Sequence, residues 1–116
     1  MPASGLESDS GSTMTERVRD HGARRRYELE VGGAVAFIDY RRDGRIVTLT
    51  HAEVPAALRG RGIGAVLVKG ALALVRAQGE RVIPQCSFVA HYLRRHPEVH
   101  DLVAGSDPSE PPARLP

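Results

Sequence analysis

Six consecutive residues, Arg59-Gly60-Arg61-Gly62-Ile63-Gly64, join two things that hold anions. The glycines leave the backbone bare for close approach, and the arginines bring positive charge. A helical pattern starts at Gly62 and runs to Gln78. The N–H groups in a helix's first turn have no internal partners, and with the helix dipole they favour a phosphate. Upstream, His51 and Glu53 stand two apart on an extended stretch, so their side chains share a face. An imidazole titrates near neutrality, and burial raises a carboxylate, so either group is a candidate base for an amine proton. Cys86 is the only cysteine. It could act as a covalent nucleophile with His51 activating the thiol, as a general acid, or as a small buried hydrophobe.

The elements that must position these groups are legible in the apolar pattern. Arg26 to Val31 alternates, with Tyr27, Leu29 and Val31 on one face. Gly32-Gly33 is a two-residue hairpin signal, and Ala34 to Arg41 forms the returning strand. Asp43-Gly44 marks a second hairpin, and Ile46 to Val54 is a β-branched third strand that Pro55 ends. The helix from Gly62 carries Ile63, Val66, Leu67 and Leu74 with small Gly70 and Ala71, and Gly79 closes it. Arg81 to Gln85 is a short strand, parallel to Ile46–Val54 because a helix separates them. Ser87 to Arg95 is a second helix, stopped at His96-Pro97. The expected fold is α/β in the α+β sense: a mixed, mostly antiparallel sheet of four strands in the order β-β-β-α-β-α. The domain is expected over 23–104, with a disordered leader over 1–22 and a disordered tail over 105–116. Met14 offers an alternative start inside that leader.

Composition narrows the function. The chain has 116 residues, enough for one domain. It has no apolar run of the roughly 18–20 residues that span a bilayer and no signal-peptide pattern. One cysteine allows no intrachain disulfide, which fits a reducing cytoplasm. Residues 24–103 hold 13 Lys/Arg against 8 Asp/Glu, while both termini are acidic. A basic folded part attracts an anionic partner. A nucleic acid is disfavoured, because Tyr27, Tyr40, Tyr92, Phe37 and Phe88 fall mostly at core positions and leave no stacking platform. A metal site is disfavoured too. Cys86, His91, His96 and His100 do not fall on one helical face, and Pro97 interrupts them.

The glycine loop fits one phosphate-binding pattern better than two others. A P-loop needs Lys-Ser/Thr directly after its last glycine, whereas Lys69-Gly70 lies more than a turn into the helix with no hydroxyl after it. A dinucleotide fold needs Gly-x-Gly-x-x-Gly after a parallel strand and an acid ending the next strand. Here the spacing is Gly60-x-Gly62-x-Gly64, and Glu80 precedes the next strand. Arg59-x-x-Gly62-x-Gly64, after a strand ending Val54-Pro55 and before an amphipathic helix, resembles the acyl-CoA motif of the GNAT superfamily of N-acetyltransferases, Gln/Arg-x-x-Gly-x-Gly/Ala. The ordered set His51-x-Glu53-Val54-Pro55, Arg59 to Gly64, Val82-Ile83-Pro84-x-Cys86 and His96-Pro97-Glu98 is similar to a compact GNAT-like family, over about Arg26 to Val103.

The resemblance implies acetyl transfer from acetyl-CoA to an amine, on a small molecule or a protein. It implies that Arg59, Gly60, Arg61, Gly62, Ile63 and Gly64 cradle the pyrophosphate. The backbone at Val54 would hold the pantetheine arm, and the thioester would lie where the two parallel strands splay. His51, Glu53 and Cys86 become the candidate catalytic residues. The larger family members carry an Asn where Cys86-Ser87 stands, and a Tyr farther along the helix than Tyr92. The second functional class compatible with the loop is an acyl-CoA-binding or sensing module without turnover.

Overall fold

The computed structural model describes residues 17–104. Its elements are β1 (Arg19–His21), β2 (Arg26–Val31), β3 (Ala34–Asp43), β4 (Ile46–Glu53), α1 (Ile63–Ala77), β5 (Arg81–Pro84) and α2 (Ser87–Arg95). A 3-10 turn at Ala56–Leu58 precedes α1, and another over Pro97–Leu102 follows α2. The strands lie side by side in chain order, β1 to β4 antiparallel and β5 parallel to β4.

The sheet therefore has five strands and not the expected four. The added strand is β1, which lies within the stretch read as a leader and pairs Arg19 with Glu28 and His21 with Arg26. Polarity hid it, since all three of its residues are exposed. Its anchor is a polar network at one end of the core. The Arg42 guanidinium donates to Glu80 at 2.7 Å and 3.3 Å, to Asp20 at 3.2 Å and to the Tyr40 hydroxyl at 3.1 Å. The Tyr40 hydroxyl in turn donates to Asp20 at 2.5 Å. Burial pushes the Tyr27 and Tyr40 hydroxyls above their ordinary range, and Asp20 adds to the effect. Burial also works against the charge on Arg42, but its bonds to Glu80, Tyr40 and Asp20 outweigh this and raise its pKa. The remainder of the expected leader and the expected tail, with Met14, lie outside the described residues.

One face of the sheet is the core. Tyr27, Leu29, Ala36, Ile38, Tyr40, Val47, Leu49 and Val82 are buried there, with Leu67, Val68, Ala71, Leu72 and Val75 of α1. The buried stripe of α1 is turned relative to the sequence expectation: Val68, Leu72 and Val75 are buried, while Val66 and Leu74 are only partly covered.

Two features of β4 shape the site. Asp39 pairs with His51 and Tyr40 with Leu49, so Thr50 is an extra residue, a β-bulge. In addition, β4 pairs with β5 only from Ile46 to Leu49, whose partners run from Arg81 to Pro84. Pro84 has no N–H to extend that ladder, and β4 continues alone on that side to Glu53.

Candidate functional site

The chain leaves β4 at Val54-Pro55, makes the 3-10 turn and enters the glycine loop. Buried Leu58 plugs this turn into the core. Gly62 is the N-cap of α1 with φ 72°, a conformation that opposes any residue with a Cβ. It offers no side-chain cap, and no acidic residue stands in the first turn. The first intrahelical bond runs from the Val66 N–H to the Gly62 carbonyl at 3.2 Å. The N–H groups of Ile63, Gly64 and Ala65 therefore precede the helical ladder and are available to an anion.

These groups open into a cleft of about 700 Å³, lined along β4 by His51, Ala52, Glu53 and Val54. Leu58, Arg59, Gly60, Gly62, Ile63, Gly64 and Ala65 form its floor and loop side, and Phe88 closes it from α2. That size suits a cofactor-scale ligand. Eight of the loop and strand residues singled out in the sequence thus meet in one cavity: His51, Glu53, Val54, Arg59, Gly60, Gly62, Ile63 and Gly64. Arg61 does not line it and donates instead to the Ala57 carbonyl at 3.5 Å. The Arg59 Nε donates to the Val54 carbonyl at 3.0 Å, bracing the loop against the end of β4.

His51 and Glu53 share a face and a 3.3 Å contact, Nε2 to Oε1. Both are well exposed, at 60% and 56% of their side-chain surface. The bulge sets this. Ala52 pairs with buried Ile38, so His51 and Glu53 lie on the other face with Asp39 and Phe37. The His51 ring lies 6.3 Å from that of Phe37, over which the Arg26 guanidinium sits at 3.8 Å. The same guanidinium pairs with Asp39 at 3.4 Å.

Cys86 is not brought to the cleft. It is the N-cap of α2, buried in the core cluster, and its backbone N–H donates to the Leu49 carbonyl at 2.8 Å. Tyr92 is buried and does not line the cleft either; its ring stacks on His96 at 3.9 Å. His96 contacts Glu98 at 3.0 Å, and His100 contacts the Leu93 carbonyl. These histidines finish α2 and the turn after it.

Phe88 is the site residue that sequence reasoning missed. Its place beside Val89, Tyr92 and Leu93 reads as core, yet it is 41% exposed. It is the exposed large hydrophobic side chain among the described residues. The available signal was Gly64. A Cβ built there would meet the tip of the Phe88 ring at 2.5 Å.

A five-stranded mixed sheet with one parallel pair, whose crossover helix begins at a cleft, defines a class: small single-domain α+β proteins with a pocket at a strand–loop–helix joint. Comparison with known proteins makes it specific. The family model described as GCN5-related N-acetyl-transferase matches residues 26–102. The proteins named NATD1 from mouse and from human are each 35% identical over 85 residues, covering 70% of this chain. The matches span 76% and 74% of those proteins. The chicken protein of the same name is 36% identical over 78 residues, 64% of this chain and 70% of its own. The solution structure of a GCN5-like protein from Staphylococcus aureus superposes with a TM-score of 0.59 at 24% identity, over 80% of this chain and 94% of that one; it supports the fold. The chain belongs to the GCN5-related N-acetyltransferase family.

No helix among the described residues is long and apolar enough to cross a membrane.

Proposed function

We propose that this chain is an N-acetyltransferase that moves an acetyl group from acetyl-CoA to an amine. The observation that carries this is the continuity of one cleft. It runs from the unladdered N–H groups of Ile63, Gly64 and Ala65 to His51 and Glu53. The donor set fits a diphosphate: uncapped helix N–H groups, no acid in the first turn, and Arg59 at the rim. The end of β4 that lacks a β5 partner fits the extended pantetheine arm, which carries amide groups of its own.

Acetyl-CoA supplies a thioester-activated acetyl group. The chain's part is to hold it and to manage a proton. Ile63, Gly64 and Ala65 N–H groups neutralise the diphosphate, and Arg59 keeps the Val54 backbone and the loop in register. An incoming amine must be neutral to attack, so His51 or Glu53 takes its proton, directly or through water. Their mutual contact lets Glu53 orient the imidazole. Holding the two reactants together in the cleft accounts for most of the rate.

A second reading is an acyl-CoA-binding module without turnover. The exposure of His51 and Glu53 and the position of Cys86 away from the cleft favour it.

Calorimetric titration with CoA and acetyl-CoA, joined to turnover assays on an amine panel, tests both. Binding with turnover supports the enzyme. Binding without turnover on any amine supports the module, and no binding removes both. Mass spectrometry after acetyl-CoA exposure is expected to leave Cys86 unmodified, as its burial dictates.

A further inference from the structure

The acyl-CoA motif of the family accepts Gly or Ala at its last position, but this chain has a local reason to hold Gly. The first turn of α1 and the first turn of α2 meet at Gly64 and Phe88. A Cβ on Gly64 would lie 2.5 Å from the Phe88 Cζ and 3.1 Å from Cε2. The shorter of these is closer than real Cβ atoms come, so a Cβ at position 64 would push the ring tip aside.

The ring is also placed where a core side chain would not be. Phe88 is 41% exposed, although Val89 beside it is fully buried. Its exposed surface faces the cleft shared by the loop and the end of β4. An aromatic face left in water is unfavourable by its exposed apolar area, and a ligand that covers it recovers that free energy. The apolar side chains of Ala52, Val54 and Leu58 line the same cleft. A charged phosphate finds its donors at the helix N–H groups and not at this ring.

We infer that Phe88, seated on Gly64, is a specificity-determining wall for the apolar, branched part of a pantetheine arm, and that Gly64 is glycine to admit the ring. The inference rests on the CoA reading above. Its consequence is selectivity: the site separates CoA from nucleotides that carry the same diphosphate but no pantetheine.

The experiment is calorimetric titration of the full chain with two probes, CoA and adenosine 3′-phosphate 5′-diphosphate, which lacks the pantetheine. Phe88→Ala is expected to weaken CoA about tenfold, the loss of a few buried methylene-sized contacts, and to leave the nucleotide within about twofold. Phe88→Leu, which keeps an apolar side chain, is expected near wild type for both. Gly64→Ala forces the ring aside and is expected to weaken CoA as strongly as Phe88→Ala. In the Gly64→Ala/Phe88→Ala double variant the added methyl meets no ring, so the second substitution adds little to the first. Circular dichroism shows whether each variant is folded, and Phe88→Gln, which keeps bulk but loses the apolar face and is expected to weaken CoA as Phe88→Ala does, carries the test if Phe88→Ala is not. If wild type binds no CoA, the CoA reading itself fails. If wild type binds CoA and Phe88→Ala binds it equally well, or loses both probes equally, the wall is wrong. Fully additive effects of the two substitutions would show that Gly64 and Phe88 act independently and overturn the pairing.

Discussion

The Thr50 hydroxyl donates to the Asp39 carbonyl at 3.2 Å, at the point where the β3–β4 ladder skips a residue. Before this bulge the odd-numbered residues Val47 and Leu49 face the core. A regular strand would carry His51 and Glu53 to that same face, where an imidazole and a carboxylate would be desolvated among apolar side chains. The extra residue reverses the alternation. Ala52 takes the inner place opposite Ile38, and His51 and Glu53 emerge at the cleft.

The first prediction concerns that pair. His51→Ala and Glu53→Gln are expected to lower turnover of an acetyl-accepting amine by about 10²–10⁴-fold for the principal base and less for its partner. Neither is expected to change CoA affinity by more than about twofold, because neither touches the loop. A pair of variants that both turn over like wild type would remove these residues from the chemistry.

A second prediction concerns the loop. Gly62→Asp forces a Cβ into a backbone with φ 72° and puts a negative charge beside the anion site. CoA affinity is expected to fall by about a hundredfold or more, roughly 2.7 kcal/mol. Isothermal titration of a folded variant checks it, and unchanged affinity would take the loop out of the site.

The third prediction addresses stability. Arg42→Met removes the cation that neutralises Glu80 and Asp20 and leaves buried Glu80 without its partner. Breaking a buried pair costs about 3–5 kcal/mol, and the part-exposed Arg42 side chain brings the expectation down to about 2–3 kcal/mol. Urea unfolding gives the number. Because Asp20 is on β1, hydrogen exchange should also show β1 detaching first.

The fourth prediction is a pH dependence. The Tyr27 hydroxyl has its pKa raised by burial, then by Asp20. The folded state therefore keeps a proton that the unfolded chain releases near pH 10. The associated stability is fully present below about pH 10 and is lost as pH rises through the folded value. Urea midpoints from pH 8 to 11 should fall more steeply for wild type than for Tyr27→Phe. Equal slopes would show that Tyr27 is not the titrating group.

The strands and helices were readable because their signals are local. Alternation in Arg26–Val31, the Gly32-Gly33 and Asp43-Gly44 turns and the Pro97 stop each act within a few residues. The glycine loop was readable for the same reason. What escaped notice depends on distant partners. Arg19–His21 carries no apolar pattern and becomes a strand through β2 and the Arg42 network. Cys86 falls two residues past the end of β5, as the N-cap of α2, and is buried in the core instead of lining the cleft. Phe88 reads as a core aromatic, and only its contact with Gly64, 24 positions earlier, shows otherwise.

From His51 to Glu53, β4 is paired to β3 and, among the described residues, to no strand on its other side. The sheet thus has an open edge beside β4, facing the cleft that the glycine loop and Phe88 of α2 line. An extended ligand with amides of its own would serve there as a temporary strand, and the domain would be most complete as a sheet when loaded. Amide exchange along this segment then becomes a direct gauge of occupancy, readable without knowing the acceptor.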